Sequence, residues 1–221
     1  MLRKKVAASL FVLSLSFVPI TIFADDTPIT EKESPVASIA SPASYIYTRA
    51  DRVLPKVTFA SSSHIVDVEY LLNDSSVDYD KPLPLFGEHL GTTTFSVVTK
   101  DIDGTIATTT TVFMLITTPE SSLADIGEAY RLGLISKVVI RDRFIRSLQL
   151  FSEANSKREK LLASTEKRKD ERAALLSDRM EKILDNEILD LLKKQEGRTV
   201  TKNAAALVRE DVEALRAAAG L

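Results

Sequence analysis

One change of composition, at Thr117-Thr118-Pro119, constrains this chain more than any other feature. From Asp25 to Thr118 the sequence is rich in Thr, Ser, Val and Ile and carries 13 acidic against 6 basic residues. From Pro119 to Leu221 it is rich in Ala, Leu, Arg, Lys and Glu, with 18 acidic against 20 basic residues, so the formal charges of the two parts are −7 and +2. β-branched residues suit a pleated, half-buried surface, whereas Ala, Leu, Arg, Lys and Glu are strong helix formers. The switch therefore marks a boundary between a β module over 44–117 and a helical module over 118–221.

The upstream part alternates apolar and polar residues with period two. Val57 and Phe59 belong to one strand, and Ile65, Val68, Tyr70 and Leu72 to the next. Thr94–Thr99 and Thr105–Ile116 form a hairpin through Asp101-Ile-Asp-Gly104, where glycine supplies the positive φ of a tight turn. Pro82 and Pro84 donate no ladder hydrogen bond, so their stretch is an edge or a connection. Short strands with regular turns over about 75 residues predict a β-sandwich. Residues 25–43 hold several Pro and Ser and read as a flexible leader.

Downstream, Thr118 caps a first helix with Pro119 at its first position and a stripe of Leu123, Ile126 and Tyr130, ended by Gly133. Ser136 caps a second helix with the stripe Ile140, Phe144, Leu148 and Phe151. A third stripe runs through Ala173, Leu176, Met180, Ile183, Glu187 and Leu191, with Ile188 and Leu192 beside it. Gly197 ends that helix, and Thr201 caps a last one carrying Leu207, Val208, Val212 and Leu215. These are the elements of an antiparallel four-helix module. Between the second and third stripes, 11 of the 16 residues from Lys157 to Arg172 are charged. That composition suits a projecting charged helical hairpin turning near Ser164-Thr165. One continuous helix across 136–194, paired in a coiled coil with a second chain, is the alternative.

At the start, Arg3, Lys4 and Lys5 precede an apolar run from Val6 to Phe23, and Ala24 is followed by Asp25 and Asp26. That is the order of a secretory signal cleaved after Ala24. The run is long for a signal, and an uncleaved anchor is the rival reading. Both place Asp25 onward outside the cytoplasm. No cysteine occurs, which excludes disulfides, thiolate metal sites and a cysteine nucleophile.

The stretch from Phe86 to Phe113, with His89, Phe95, Val97, Asp101 and Gly104, resembles the closing strands of bacterial immunoglobulin-like domains. Ile65–Asp74 looks like the central strand and turn of the same family, and the likeness covers about 44–117. The segments Leu123–Ile135, Phe144–Leu148 and Gln195–Val208 resemble the FIMAH module of extracellular bacterial proteins, over about 120–219, apart from the longer charged stretch between the second and third helices. These resemblances imply an extracellular bacterial protein, accessory to other activities rather than catalytic itself.

The residues offer little chemistry of their own. His64 follows Ser61-Ser62-Ser63 and precedes Asp67, but no nucleophile elbow surrounds it and the segment alternates like a strand. His89 reads as a polar residue before the penultimate strand. Asp101, Asp103 and Gly104 begin like a calcium loop yet lack the Glu at its twelfth position, and Asn73, Asp74, Asp78 and Asp80 need only solvent. The bases between Lys157 and Arg172 are interrupted by Glu159, Glu166, Asp170 and Glu171, which argues against nucleic acid. No catalytic, cofactor or metal residue is assigned. The expectation is an exported, non-enzymatic binding or spacer protein contacting an extracellular protein or an envelope polymer. It meets the membrane through the N-terminal segment alone, and there only if that segment is uncleaved. An accessory carbohydrate- or wall-binding protein, using Tyr45, Tyr47, Tyr70 or Tyr79, is one alternative; self-association through the helical arm is another.

Overall fold

The structure, a computed structural model, describes residues 34–43, 45–60 and 64–221. The signal or anchor expected over 1–24 lies outside the described residues, as do Ser61, Ser62 and Ser63.

Among the described residues seven strands precede the α-helices, in two sheets. β1 (Val36–Ser41) pairs antiparallel with β3 (Lys56–Ala60). The larger sheet contains β2 (Ile46–Thr48), β4 (Ile65–Leu72), β5 (Ser75–Ser76), β6 (Gly91–Asp101) and β7 (Ile106–Ile116), in the order β2-β7-β6-β4-β5. All its pairs are antiparallel except β2 with β7. Period-two patterning puts Ala37 and Val57 from the small sheet in one core with Leu72, Phe95, Val97, Phe113 and Leu115 from the large one. The leader expected over 25–43 is corrected in its last part, where β1 is a strand. Pro35 and Pro42 bound it and made it read as loop, but Ala37 and Ile39 share a face against Phe59 and Val57. Local composition lost to a pairing partner supplied from elsewhere in the chain.

Turn chemistry fixes the registers. Asn73 and Asp74 both have positive φ, 45° and 64°, the conformation of a tight hairpin turn between β4 and β5. Gly104, at φ 83°, closes the β6–β7 turn, where the Asp101 carboxylate accepts from the backbone N–H groups of Asp103 (3.0 Å) and Thr105 (2.7 Å). The Pro82–Pro84 stretch is a connection. Its Leu83 and Leu85 are buried, and Leu83 N–H donates to the Val53 carbonyl at 2.8 Å.

The helices are α1 (Pro119–Arg131), α2 (Val138–Leu162), α3 (Lys169–Lys182), α4 (Asp190–Gln195) and α5 (Lys202–Ala219), with a π-helical segment, Ile183–Leu189, joining α3 to α4. Thr118 caps α1 reciprocally with Ser121, as its position before Pro119 predicts. Ser136 does not cap α2. Its hydroxyl donates to the Thr199 carbonyl at 3.3 Å and its N–H to the same oxygen at 2.8 Å, tying the α1–α2 joint to the turn before α5. The choice between hairpin and single long helix across 136–194 falls to the hairpin: α2 stops at Leu162, Ser164 Oγ donates to the Leu161 carbonyl at 2.7 Å, and helix resumes at Lys169. A hydroxyl that bonds the preceding turn competes with the helix's own ladder.

The third stripe also shifts. Met180, Leu184, Ile188 and Leu192 face the core, whereas Glu187 is exposed and Leu191 half-buried. A wider π turn absorbs an extra residue, so apolar residues at a constant spacing of four stay on one side, where an α-helix would rotate them away. These side chains pack with Ile126, Phe144, Leu148, Phe151, Val208 and Val212. The fully buried apolar residues thus fall into a β core and a helical core, with partly buried Phe86 of the β part packed against the helical one, and all described residues belong to one compact unit, Glu33–Leu221. No helix among them is long and apolar enough to cross a membrane.

Candidate functional site

The β and helical parts meet through a buried charge cluster. After β2 the chain turns sharply, and Asp51 Oδ2 accepts from Thr48 N–H at 2.6 Å and from the Thr48 hydroxyl at 3.1 Å. That turn directs Arg49 toward the helices, where the residue is 3% exposed. Its Nε donates to the Glu88 carbonyl at 2.7 Å, Nη1 to Asp211 Oδ1 on α5 at 2.6 Å, and Nη2 to Glu210 Oε2. Glu210 Oε1 accepts from Leu90 N–H at 2.8 Å, so α5 holds both the turn after β2 and the approach to β6. Each of the three guanidinium nitrogens donates to a fixed acceptor, the geometry in which arginine outperforms lysine.

Asp125 on α1 adds a further carboxylate to this cluster. It is 6% exposed, and its Oδ1 has no hydrogen-bond partner. Burial, then the charge of Asp211, pushes the Asp125 carboxyl up to about 7, against the pull of Arg49. Burial likewise pushes Asp211 up to about 6, opposed by Arg49 and by a hydrogen bond from Thr117. One guanidinium faces Glu210, Asp211 and Asp125, so a proton held on Asp125 limits the negative charge left uncompensated. Beside the cluster a cleft of about 730 Å³ opens between Arg52, Lys81 and Phe86 on one side and Asp125, Glu128 and Arg131 on the other.

A second site lies at the tip of the α2–α3 hairpin. Leu161, Leu175 and Leu176 line a cleft of about 610 Å³ together with Lys157, Lys160, Arg172, Arg179 and Glu166. The bases of the Lys157–Arg172 stretch, scattered in sequence, are in part gathered here onto one surface.

The histidines considered from sequence lie apart. His64 is exposed before β4, and its carbonyl accepts from Ile102 N–H at 2.9 Å. His89 is exposed, with Nδ1 3.5 Å from Glu210 Oε2. The tyrosines do not form one row. Tyr47 meets Phe113 edge-on at 5.4 Å, Tyr70 stacks on Tyr79 at 4.8 Å, and Tyr45 is exposed. Among the described residues no group of three or more His, Cys, Asp or Glu is arranged to hold a metal ion.

Sequence reasoning did not single out Arg49, Asp125 or Asp211. For Asp211 a signal existed: it falls at a core-facing spacing between Val208 and Leu215, where a charge has to find a buried partner. Arg49 carries no comparable pattern.

No family model matches the chain, so neither resemblance noted above gains support from one, and no curated protein matches it. Among solved structures the chain is similar to the fibronectin(III)-like modules of CbhA from Clostridium thermocellum, with 15% identity and a TM-score of 0.28. That match covers 37% of this chain and 46% of the other, so the chain spans less than half the length of the structure it resembles.

Proposed function

We propose that the chain is an exported, non-catalytic binding and spacer module of a bacterial surface or secreted protein. In this reading an immunoglobulin-like β-sandwich is locked to a FIMAH-like four-helix module, and the charged α2–α3 hairpin is presented to an extracellular protein. The observation that carries it is the Arg49 contact with Asp211 and Glu210, buried between the β part and α5. A spacer has to transmit position, and two modules joined by a buried, fully directed charge contact hold one orientation where a linker would not.

The N-terminal pattern of Arg3-Lys-Lys5 followed by apolar residues supports export. A reporter fused behind residue 40 is expected outside the cytoplasm, and retention inside rejects export. For the spacer role, the full chain is expected to unfold in urea in one transition, with Arg49→Met separating it into two. Two transitions in the unaltered protein reject a rigid spacer. The wall- or carbohydrate-binding alternative draws on the exposed Tyr79 ring stacked on Tyr70, and a glycan or envelope pull-down lost in Tyr79→Ala would favour it.

A further inference from the structure

The hairpin-tip cleft combines two features that solvent alone leaves unmatched. Its floor is apolar, with Leu175 65% exposed beside Leu161 and Leu176. Its rim is cationic: Arg172 is paired with Glu166 at 2.6 Å, and the side chains of Lys157, Lys160 and Arg179 have no hydrogen-bond or ion-pair partner among the described residues. Glu166, the acidic lining residue, is thus already neutralised.

We infer that this cleft docks an acidic segment of a partner protein, in which carboxylates flank an apolar anchor side chain. The anchor covers Leu175 and Leu176, and the carboxylates approach Lys157, Lys160 and Arg179. An apolar centre with a polar, charge-complementary rim is the usual anatomy of a protein contact. The inference rests on the hairpin being the contacting arm and is independent of the Arg49 lock.

Other occupants fit less well. A polyanionic envelope polymer satisfies the cations but has no apolar group to cover the leucines. An anionic membrane surface also meets Glu159, Asp170 and Glu171, exposed on the same hairpin, whereas a segment confined to the cleft meets only Glu166, already paired with Arg172. A second copy offers Asp78-Tyr79-Asp80, a segment of matching chemistry. There, however, Asp78 is engaged by Lys81 at 2.5 Å and Tyr79 by Tyr70 within its own fold.

The test is fluorescence anisotropy of the full chain with three labelled synthetic peptides of equal length. One alternates Glu with Leu and Phe anchors, one is polyglutamate, and one replaces every Glu of the first by Lys. The first peptide is expected to bind saturably and more weakly as salt rises. Its affinity should drop at least about tenfold, near 1.4 kcal/mol, in Lys157→Glu/Lys160→Glu and in Leu175→Asp. All three side chains are exposed, so the variants should keep the circular dichroism of the parent. The inference is overturned if the first peptide does not bind, if neither variant weakens it, or if polyglutamate binds as tightly, which would point to an envelope polymer. Sedimentation showing self-association of the full chain that the same variants abolish overturns it in favour of a second copy. The Arg49→Met unfolding experiment is unaffected by any of these results.

Discussion

The junction and the hairpin tip use the same side chains to opposite ends. At the junction, Arg49 is enclosed between two carboxylates and a backbone carbonyl, and its side chain is removed from water. At the tip, Arg172 and Glu166 form an equally short pair while both stay more than half exposed. In water two such charges gain little over their separate hydration, whereas a buried charge depends on its partner to offset desolvation. Charge is therefore structural where the chain buries it and remains available for other contacts where the chain leaves it in solvent.

Breaking the junction should have the largest effect. Arg49→Met leaves Asp211 and Glu210 without their cation and is expected to cost about 3–5 kcal/mol, read as the fall of the first of its two urea transitions below the single transition of the parent. Arg49→Lys keeps the charge but loses the fork, and an intermediate loss is expected.

The next effect is a pH dependence with a definite sign. In the folded protein Asp125 holds its proton up to about pH 7, while the unfolded chain releases it near 3.8. Between those values unfolding releases a proton, so raising the pH favours the unfolded state, and Asp211, pushed up to about 6, acts in the same direction over a narrower span. From Asp125 alone the fold is expected to lose about 3–4 kcal/mol between pH 4 and pH 7.5, and Asp211 adds to that loss. Asp125→Asn removes a large part of that dependence and should make the protein more stable than the parent at pH 8. Parallel denaturation series at both pH values check this, and an unchanged slope in Asp125→Asn rejects it.

The same contrast explains what was legible beforehand. The hairpin break came from composition, because 11 charged residues among the 16 from Lys157 to Arg172 leave no continuous stripe to bury. Strands β3, β4, β6 and β7 and the caps Thr118 and Thr201 came from local periodicity and turn chemistry. β1 did not, since a short strand between two prolines has no local reason to be extended until β3 lies beside it. Nor did the register of the Met180–Leu192 stripe, which depends on a π turn that a 3.6-residue period does not anticipate. The junction was the least legible. Arg49 and Asp211 are 162 positions apart, and their pairing arises only when the turn after β2 and the core face of α5 are brought together.

The smallest expected effect on stability is at the tip, and it sharpens the contrast most. Arg172→Ala removes one partner of the Glu166 pair, and with both groups in solvent the fold should lose less than about 0.5 kcal/mol. The local field changes more than the stability does. Glu166, no longer neutralised, adds a negative charge to the rim formed by Lys157, Lys160 and Arg179. An acidic peptide should therefore bind more weakly to Arg172→Ala, and the loss should shrink at high salt, where exposed charges are screened. Glu166→Gln should act in the reverse sense, freeing Arg172 and tightening the same peptide. If instead Arg172→Ala destabilises the protein as much as Arg49→Met, the tip is structural after all and the distinction between the two sites fails.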